Sequence, residues 1–105
     1  MQSKTVRLSE FQIDAICIAF REFFPKNDHL WLFGSRADMS KKGGDIDLYI
    51  ESTLESAERV STARMRFLTQ LQMSLGEQKI DVVVKFDDTD LLIYKIAKEK
   101  GVLLV

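Results

Sequence analysis

Apolar residues recur along this chain first at helical spacing, then in short runs, then at helical spacing again. Ser9-Glu10-Phe11-Gln12 has capping-box spacing and opens a predicted helix to about Phe24, where Pro25 and Lys26-Asn27-Asp28 stop it. Its main apolar stripe is Ile13, Ile16, Cys17, Phe20, Phe23 and Phe24. A second stripe, Phe11, Ala15 and Ile18, lies to one side, so the helix either sits deep in a small core or offers a surface to a partner. Leu30 to Phe33 is too short for a helix and reads as a buried strand. Gly34 and Ser35 make a tight turn, with Ser35 placed to cap a short helix over Arg36 to Met39. A loop from Lys41 to Gly44 leads to a strand over Asp45 to Ile50.

Val60, Ala63, Phe67, Leu71 and Leu75 step by three and four through a helix expected over Ser52 to Leu75, opened by Ser52 or Thr53 and closed by Gly76. Arg59, Arg64 and Arg66 fall on its solvated side, with substrate contact as the alternative for one of them. Lys79 to Phe86 is a strand rich in β-branched residues. Asp87-Asp88-Thr89-Asp90 reads as a turn and helix start, its acids there for capping and solvation. A helix from about Asp90 to Lys100 ends at Gly101, and Val102 to Val105 forms a last strand. The expected fold is α/β (α+β): a mixed β-sheet whose first two strands pair antiparallel, with helices packed mainly on one face and the acids on the other.

The strand over Asp45 to Ile50 carries carboxylates at i and i+2, which share one face of the sheet while Ile46 and Leu48 share the other. Two such carboxylates repel without a cation between them, and Mg²⁺ binds through one or two carboxylates plus substrate phosphates. The helix start after Gly34 offers backbone N–H groups to a phosphate. Asp81 is a lone acid in an apolar strand, which calls for a cation, several donors or a salt bridge to a neighbouring Lys or Arg.

Gly34-Ser35, nine residues, then Asp45-Ile46-Asp47-Leu48 resembles the pattern of the DNA polymerase β nucleotidyltransferase superfamily. That pattern is Gly-Ser, about ten residues, then Asp-h-Asp-h with h apolar, and a third carboxylate on a later strand, here matched by Asp81. The chain's size points within it to the minimal nucleotidyltransferases, and the similarity runs from about Trp31 to the end. One departure is Gly43-Gly44 where many relatives have Pro-x-Ser before the first Asp.

The resemblance implies a nucleotidyltransferase fold and a Mg²⁺-dependent transfer of AMP from ATP. Gly34, Ser35 and Arg36 would hold the β- and γ-phosphates, Asp45 and Asp47 one Mg²⁺, and Asp45, Asp47 and Asp81 a second, the two ions roughly 4 Å apart. All three aspartates would then be catalytic as well as metal-binding, with Asp81 nearest the nucleophile. Minimal nucleotidyltransferases often act as antitoxins that adenylylate a tyrosine of a helical HEPN ribonuclease. A HEPN-family partner is therefore expected, or a second copy of the chain. The alternatives are an antitoxin that acts by binding alone, and transfer to a small molecule such as an aminoglycoside.

Composition narrows the rest. The 105 residues allow one compact domain, 1–105, with no room for a separate acceptor-grasping module. With 46% hydrophobic and 30% charged residues the balance is that of a soluble globular chain. A net charge of −1 gives no broad field for nucleic acid or membrane, leaving only a local cluster of Arg36, Lys41 and Lys42. No signal peptide or spanning run is present, so a cytoplasmic location is expected. Cys17 reads as a small core residue and His29 as structural. Tyr49 shares the face of Asp45 and Asp47, either lining the site or packing on the next strand.

Overall fold

A computed structural model of the chain describes residues 6–38 and 44–105. The expected basic loop lies largely outside them, with Lys41, Lys42 and Gly43, as does Met39 at the end of the expected short helix. The elements run α1 (Glu10–Phe23), β1 (His29–Phe33), a 3₁₀ turn (Gly34–Ala37), β2 (Ile46–Glu51), α2 (Ala57–Leu75), β3 (Ile80–Lys85), α3 (Leu92–Lys100) and β4 (Val102–Leu103). The mixed sheet has strand order β3-β2-β1-β4. β1 pairs antiparallel with β2 and β4, and β2 pairs parallel with β3. The α/β architecture expected from the sequence is thus present.

Alternation along the strands separates two faces. Leu30, Leu32, Ile46, Leu48, Ile50, Ile80 and Val82 point to one side, where α1 and α2 bury them under Ile16, Phe20, Phe67 and Leu71. Phe20, Phe24 and Phe67 meet there with ring centroids 5.2–6.2 Å apart, and each such side chain contributes roughly 1.5–3 kcal/mol by leaving water. Trp31, Tyr49 and Val83 point to the other side, which is not bare. There α3 lays Ala97 and Tyr94 across them, with Tyr94 stacked on Tyr49 at 5.6 Å. Helices therefore dominate one face, while α3 covers part of the face that bears the acids.

The capping box at Ser9 and Gln12 forms as expected. Three element starts differ from the sequence expectation, each for a definable reason. Ser35 does not cap a helix: Gly34, at φ +76°, opens a single 3₁₀ turn in which Ser35 is an interior residue, and extended Asp38 ends it. Neither Ser52 nor Thr53 caps α2, because Asp28 engages both; Ser56 caps it instead, accepting from Arg59 N at 3.1 Å. Asp28 is 1% exposed and accepts from the Ser52 hydroxyl, the Thr53 hydroxyl and the Thr53 amide, fastening the β2–α2 link to the foot of β1. Asp90 does not open α3. The Asp87 carboxylate instead accepts from Thr89 N, an arrangement that holds its pKa below the usual carboxylate range. Lys85 Nζ donates to the carbonyls of Asp87 and Thr89, and the helix starts after Leu91.

Val6 and Leu8 are buried in the main core, so the segment before α1 is docked from residue 6 onward. Arg7 N donates to Arg36 O at 2.8 Å, tying this segment to the 3₁₀ turn. Arg64 lies on the exposed side of α2, as expected, and also makes a contact the sequence did not show. Its Nε donates to Val82 O at 2.8 Å, covering a carbonyl of edge strand β3.

Candidate active site

β2 and β3 run parallel in a register that sets Asp47 directly beside Asp81. β1 sets Phe33 beside Asp47 on the other side, so the 3₁₀ turn leaves the sheet next to that carboxylate. Gly34 is the point of closest approach. A Cβ built on it would run into Asp47 Oδ2, and its backbone is left-handed, so both space and conformation require glycine. The Gly-Ser turn and one end of the acid pair are therefore in van der Waals contact.

Asp47 is half-buried and Asp81 exposed, at the open end of the face that α3 partly covers. The Asp47 carboxyl is pushed above the usual aspartate range, first by burial, then by the charges of Asp81 and Asp45 and a hydrogen bond to Asp81. Lys79 opposes these effects. Asp45 lies just ahead of β2 and pairs with Lys79 Nζ at 3.8 Å. Among the described residues no three imidazole, thiol or carboxylate groups converge to enclose a metal ion. The structure brings Asp47 and Asp81 together, and leaves Asp45 at their edge, drawn to a lysine.

Arg36 is occupied in a way the sequence does not reveal. Its Nη1 donates to Arg7 O at 2.8 Å and its Nη2 to Gly44 O at 3.1 Å. The guanidinium thus clamps the segment before α1 to the residue that precedes Asp45. Tyr49 packs rather than lining the site: it is buried between Trp31 and Tyr94, and its hydroxyl donates to Glu51 at 2.8 Å. Burial and that acceptor raise its pKa far above the usual phenol value. His29 Nδ1 lies 3.1 Å from Val105 O and the ring stands edge-on to Trp31, a structural placement. Cys17 is half-buried, its Sγ 3.9 Å from Leu104 O, and burial raises its thiol pKa.

Beside the Gly-Ser turn opens a cavity of about 480 Å³ lined by Phe33, Gly34, Ser35, Asp38, Ile96 and Lys100. Ile96 and Lys100 come from α3 and were not among the sequence candidates. Their i, i+4 spacing shows that they share a helix face, but not that this face meets the Gly-Ser turn.

No protein-family model matches the sequence, and no curated protein matches it.

Proposed function

We propose that the chain is a nucleotidyltransferase that transfers AMP from Mg²⁺-bound ATP to a tyrosine hydroxyl on a helical HEPN-type partner, acting as that protein's antitoxin. The observation that carries this reading is the contact between Gly34 and Asp47, with Asp47 in register beside Asp81. It joins the left-handed Gly-Ser backbone turn to a pair of carboxylates that repel each other.

The acids fit a divalent ion electrostatically. Burial and two neighbouring carboxylates make ionised Asp47 unfavourable, and a cation reverses that penalty. Asp45 and Asp47 would hold one ion and Asp81 would join them for a second, once Asp45 turns from Lys79. Bound there, Mg²⁺ supplies charge stabilisation on the phosphates and lowers the pKa of the acceptor hydroxyl. The Gly34–Ser35 backbone orients the β- and γ-phosphates. Arg36 holds the approach to Asp45 in place through Gly44. Asp81, the exposed member of the pair, accepts the tyrosine proton. The tyrosine oxygen forms a bond to the α-phosphorus, the bond to the bridging oxygen breaks, and pyrophosphate leaves with that electron pair.

The partner side of the proposal draws on α1. Phe11 and Ile18 are 66% and 65% exposed. They border a groove of about 300 Å³ between α1 and α2 that is rimmed by Asp14 and Glu22 and, among the described residues, lined by no cation. A two-fold contact through this groove would set acids against acids. A partner helix with apolar anchors flanked by Lys or Arg matches it in both respects. This groove also supports the second reading, an antitoxin that acts by binding alone. Incubating the purified protein with partner, Mg²⁺ and ATP separates the two. One added AMP on a partner tyrosine supports transfer, and a neutralised partner of unchanged mass overturns it.

A further inference from the structure

β3 is an edge of the sheet, and two hydrogen bonds fix which way its backbone groups point. Ile46 N donates to Lys79 O at 3.0 Å and Ser52 N to Lys85 O at 2.9 Å, so both of those carbonyls face β2. Backbone groups alternate in direction along a strand, so Asp81 and Val83 also face β2, while Ile80, Val82 and Val84 turn their N–H and C=O groups outward. The Arg64 contact agrees: Val82 O accepts from a side chain rather than from β2. Among the described residues no strand lies beyond β3, and no backbone group bonds to the outward side of those three residues. Arg64 is the cover on this edge, and an incoming strand would return it to the exposed side of α2.

Asp81 sits on this edge strand, exposed and in register with Asp47. Lys79 shares its face two residues earlier and Val83 two residues later. A polypeptide added antiparallel to the edge would set alternate side chains on the acid face. The one opposite Asp81 takes a non-hydrogen-bonded position, where facing side chains come closest. A second copy of the chain suits the edge poorly. β3 paired antiparallel with itself about Val82, the register that uses all three outward residues, sets Lys79 against Lys85 at each end.

We propose that the β3 edge receives the acceptor as an extended strand, antiparallel to β3, with its tyrosine opposite Asp81. The partner therefore presents this tyrosine on an extended segment rather than within a helix. Lys79 faces the residue two positions after the tyrosine, where an Asp or Glu takes up the charge that Asp45 releases on turning to the metal. Val83 faces the residue two positions before, which favours an apolar side chain. The transfer step is the one given above: the phenolic oxygen bonds to the α-phosphorus, Asp81 takes the proton and pyrophosphate leaves. The acceptor role rests on the nucleotidyltransferase reading, whereas strand addition itself needs no nucleotide.

The test is NMR amide exchange of the protein with the peptide acetyl-Thr-Thr-Val-Thr-Tyr-Thr-Glu-amide, followed by AMP transfer to that peptide from Mg–ATP. In the free protein the Asp81 and Val83 amides should exchange slowly, and those of Ile80, Val82 and Val84 fast. The peptide should slow the outward three by at least about tenfold. Replacing its Glu by Lys should weaken binding about fivefold, the scale of one cross-strand charge pair. Val84→Pro removes an outward N–H and leaves every bond to β2 in place. It should lower transfer to the peptide at least about tenfold, with Mg–ATP affinity unchanged. Unmoved exchange at the three outward amides, or native transfer in Val84→Pro, overturns the edge site and leaves the acid site standing. Outward amides that are slow in concentrated free protein and quicken on dilution place a second copy on the edge, and also overturn it. Protection by the peptide with no Mg–ATP binding overturns the nucleotidyltransferase reading, and the acceptor role of the edge with it. Should Val84→Pro fail to fold, exchange in the unsubstituted protein with and without peptide decides.

Discussion

Replacing Asp47 by asparagine should stabilise the metal-free protein while removing its response to Mg–ATP. Asp47 and Asp81 are register partners on adjacent parallel strands, a spacing of about 5 Å in the sheet. Two unit charges at that distance repel by roughly 0.8 kcal/mol in bulk water and about 3 kcal/mol at an effective dielectric near 20. Asp47 is only half-buried, so the lower end applies and relief of about 1 kcal/mol is expected. In a domain of this size that corresponds to a rise of about 4–8 °C in melting temperature.

The pH dependence has a definite sign. The folded-state pKa of Asp47 is raised, so the folded protein binds this proton more tightly than the unfolded chain. Native stability is therefore highest while the group is protonated and declines as pH climbs through the raised value. The amide of the Asp47→Asn variant does not titrate. The two proteins should melt together near pH 3–4 and diverge toward pH 7, the gap being complete above the folded-state pKa. The assay is thermal melting in EDTA at both ends of that range, then at neutral pH with saturating Mg–ATP. At a hundredfold excess over Kd the native protein should gain about 2.7 kcal/mol, and the variant far less. A variant that melts below the native protein in EDTA at pH 7, or a gap independent of pH, would refute the repulsion argument. An equal Mg–ATP shift in both would remove Asp47 from the site.

Gly34→Ala places a side chain against Asp47 at a left-handed backbone position; it should cost about 1–2 kcal/mol and weaken Mg–ATP binding in calorimetry. Asp28→Ala removes the acceptor of three hydrogen bonds; denaturant unfolding should show a loss of about 2–3 kcal/mol, with Mg–ATP affinity per folded molecule unchanged. Phe11→Ser with Ile18→Ser should weaken assembly with the helical partner while barely moving the melting temperature. A large drop in melting temperature with assembly unchanged would place both side chains in the domain's own core.

What was legible in the sequence was local. The α1 capping box, the strand alternation that separates Ile46 and Leu48 from Asp47, and the lone acid at position 81 all follow from neighbours within four residues. Several features that escaped are set by residues far apart in the chain. Asp28 takes Ser52 and Thr53 away from the helix they would otherwise cap, a contact spanning 24 and 25 positions. Arg36 turns back to a carbonyl 29 residues earlier. The sequence predicted a helix from about Asp90 to Lys100, but not that it would cross the acid face and carry Lys100 to the Gly-Ser turn. Ser35 failed as a cap for a local reason: the left-handed Gly34 opens a 3₁₀ turn with Ser35 inside it.

The central claim is that Asp47 and Asp81 act together on a nucleotide, and single-turnover AMP transfer tests it most directly. Native protein and Asp81→Ala would be incubated with the helical partner, Mg²⁺ and α-labelled ATP, and label on the partner followed beside ATP affinity. Asp81→Ala is expected to lower the transfer rate by at least about a hundredfold, the scale of lost proton acceptance in general base catalysis, with ATP affinity reduced far less. The triphosphate in that variant is still held by the Gly34–Ser35 turn and Asp47. Transfer at the native rate in Asp81→Ala, or rate and affinity falling in parallel, would contradict the account.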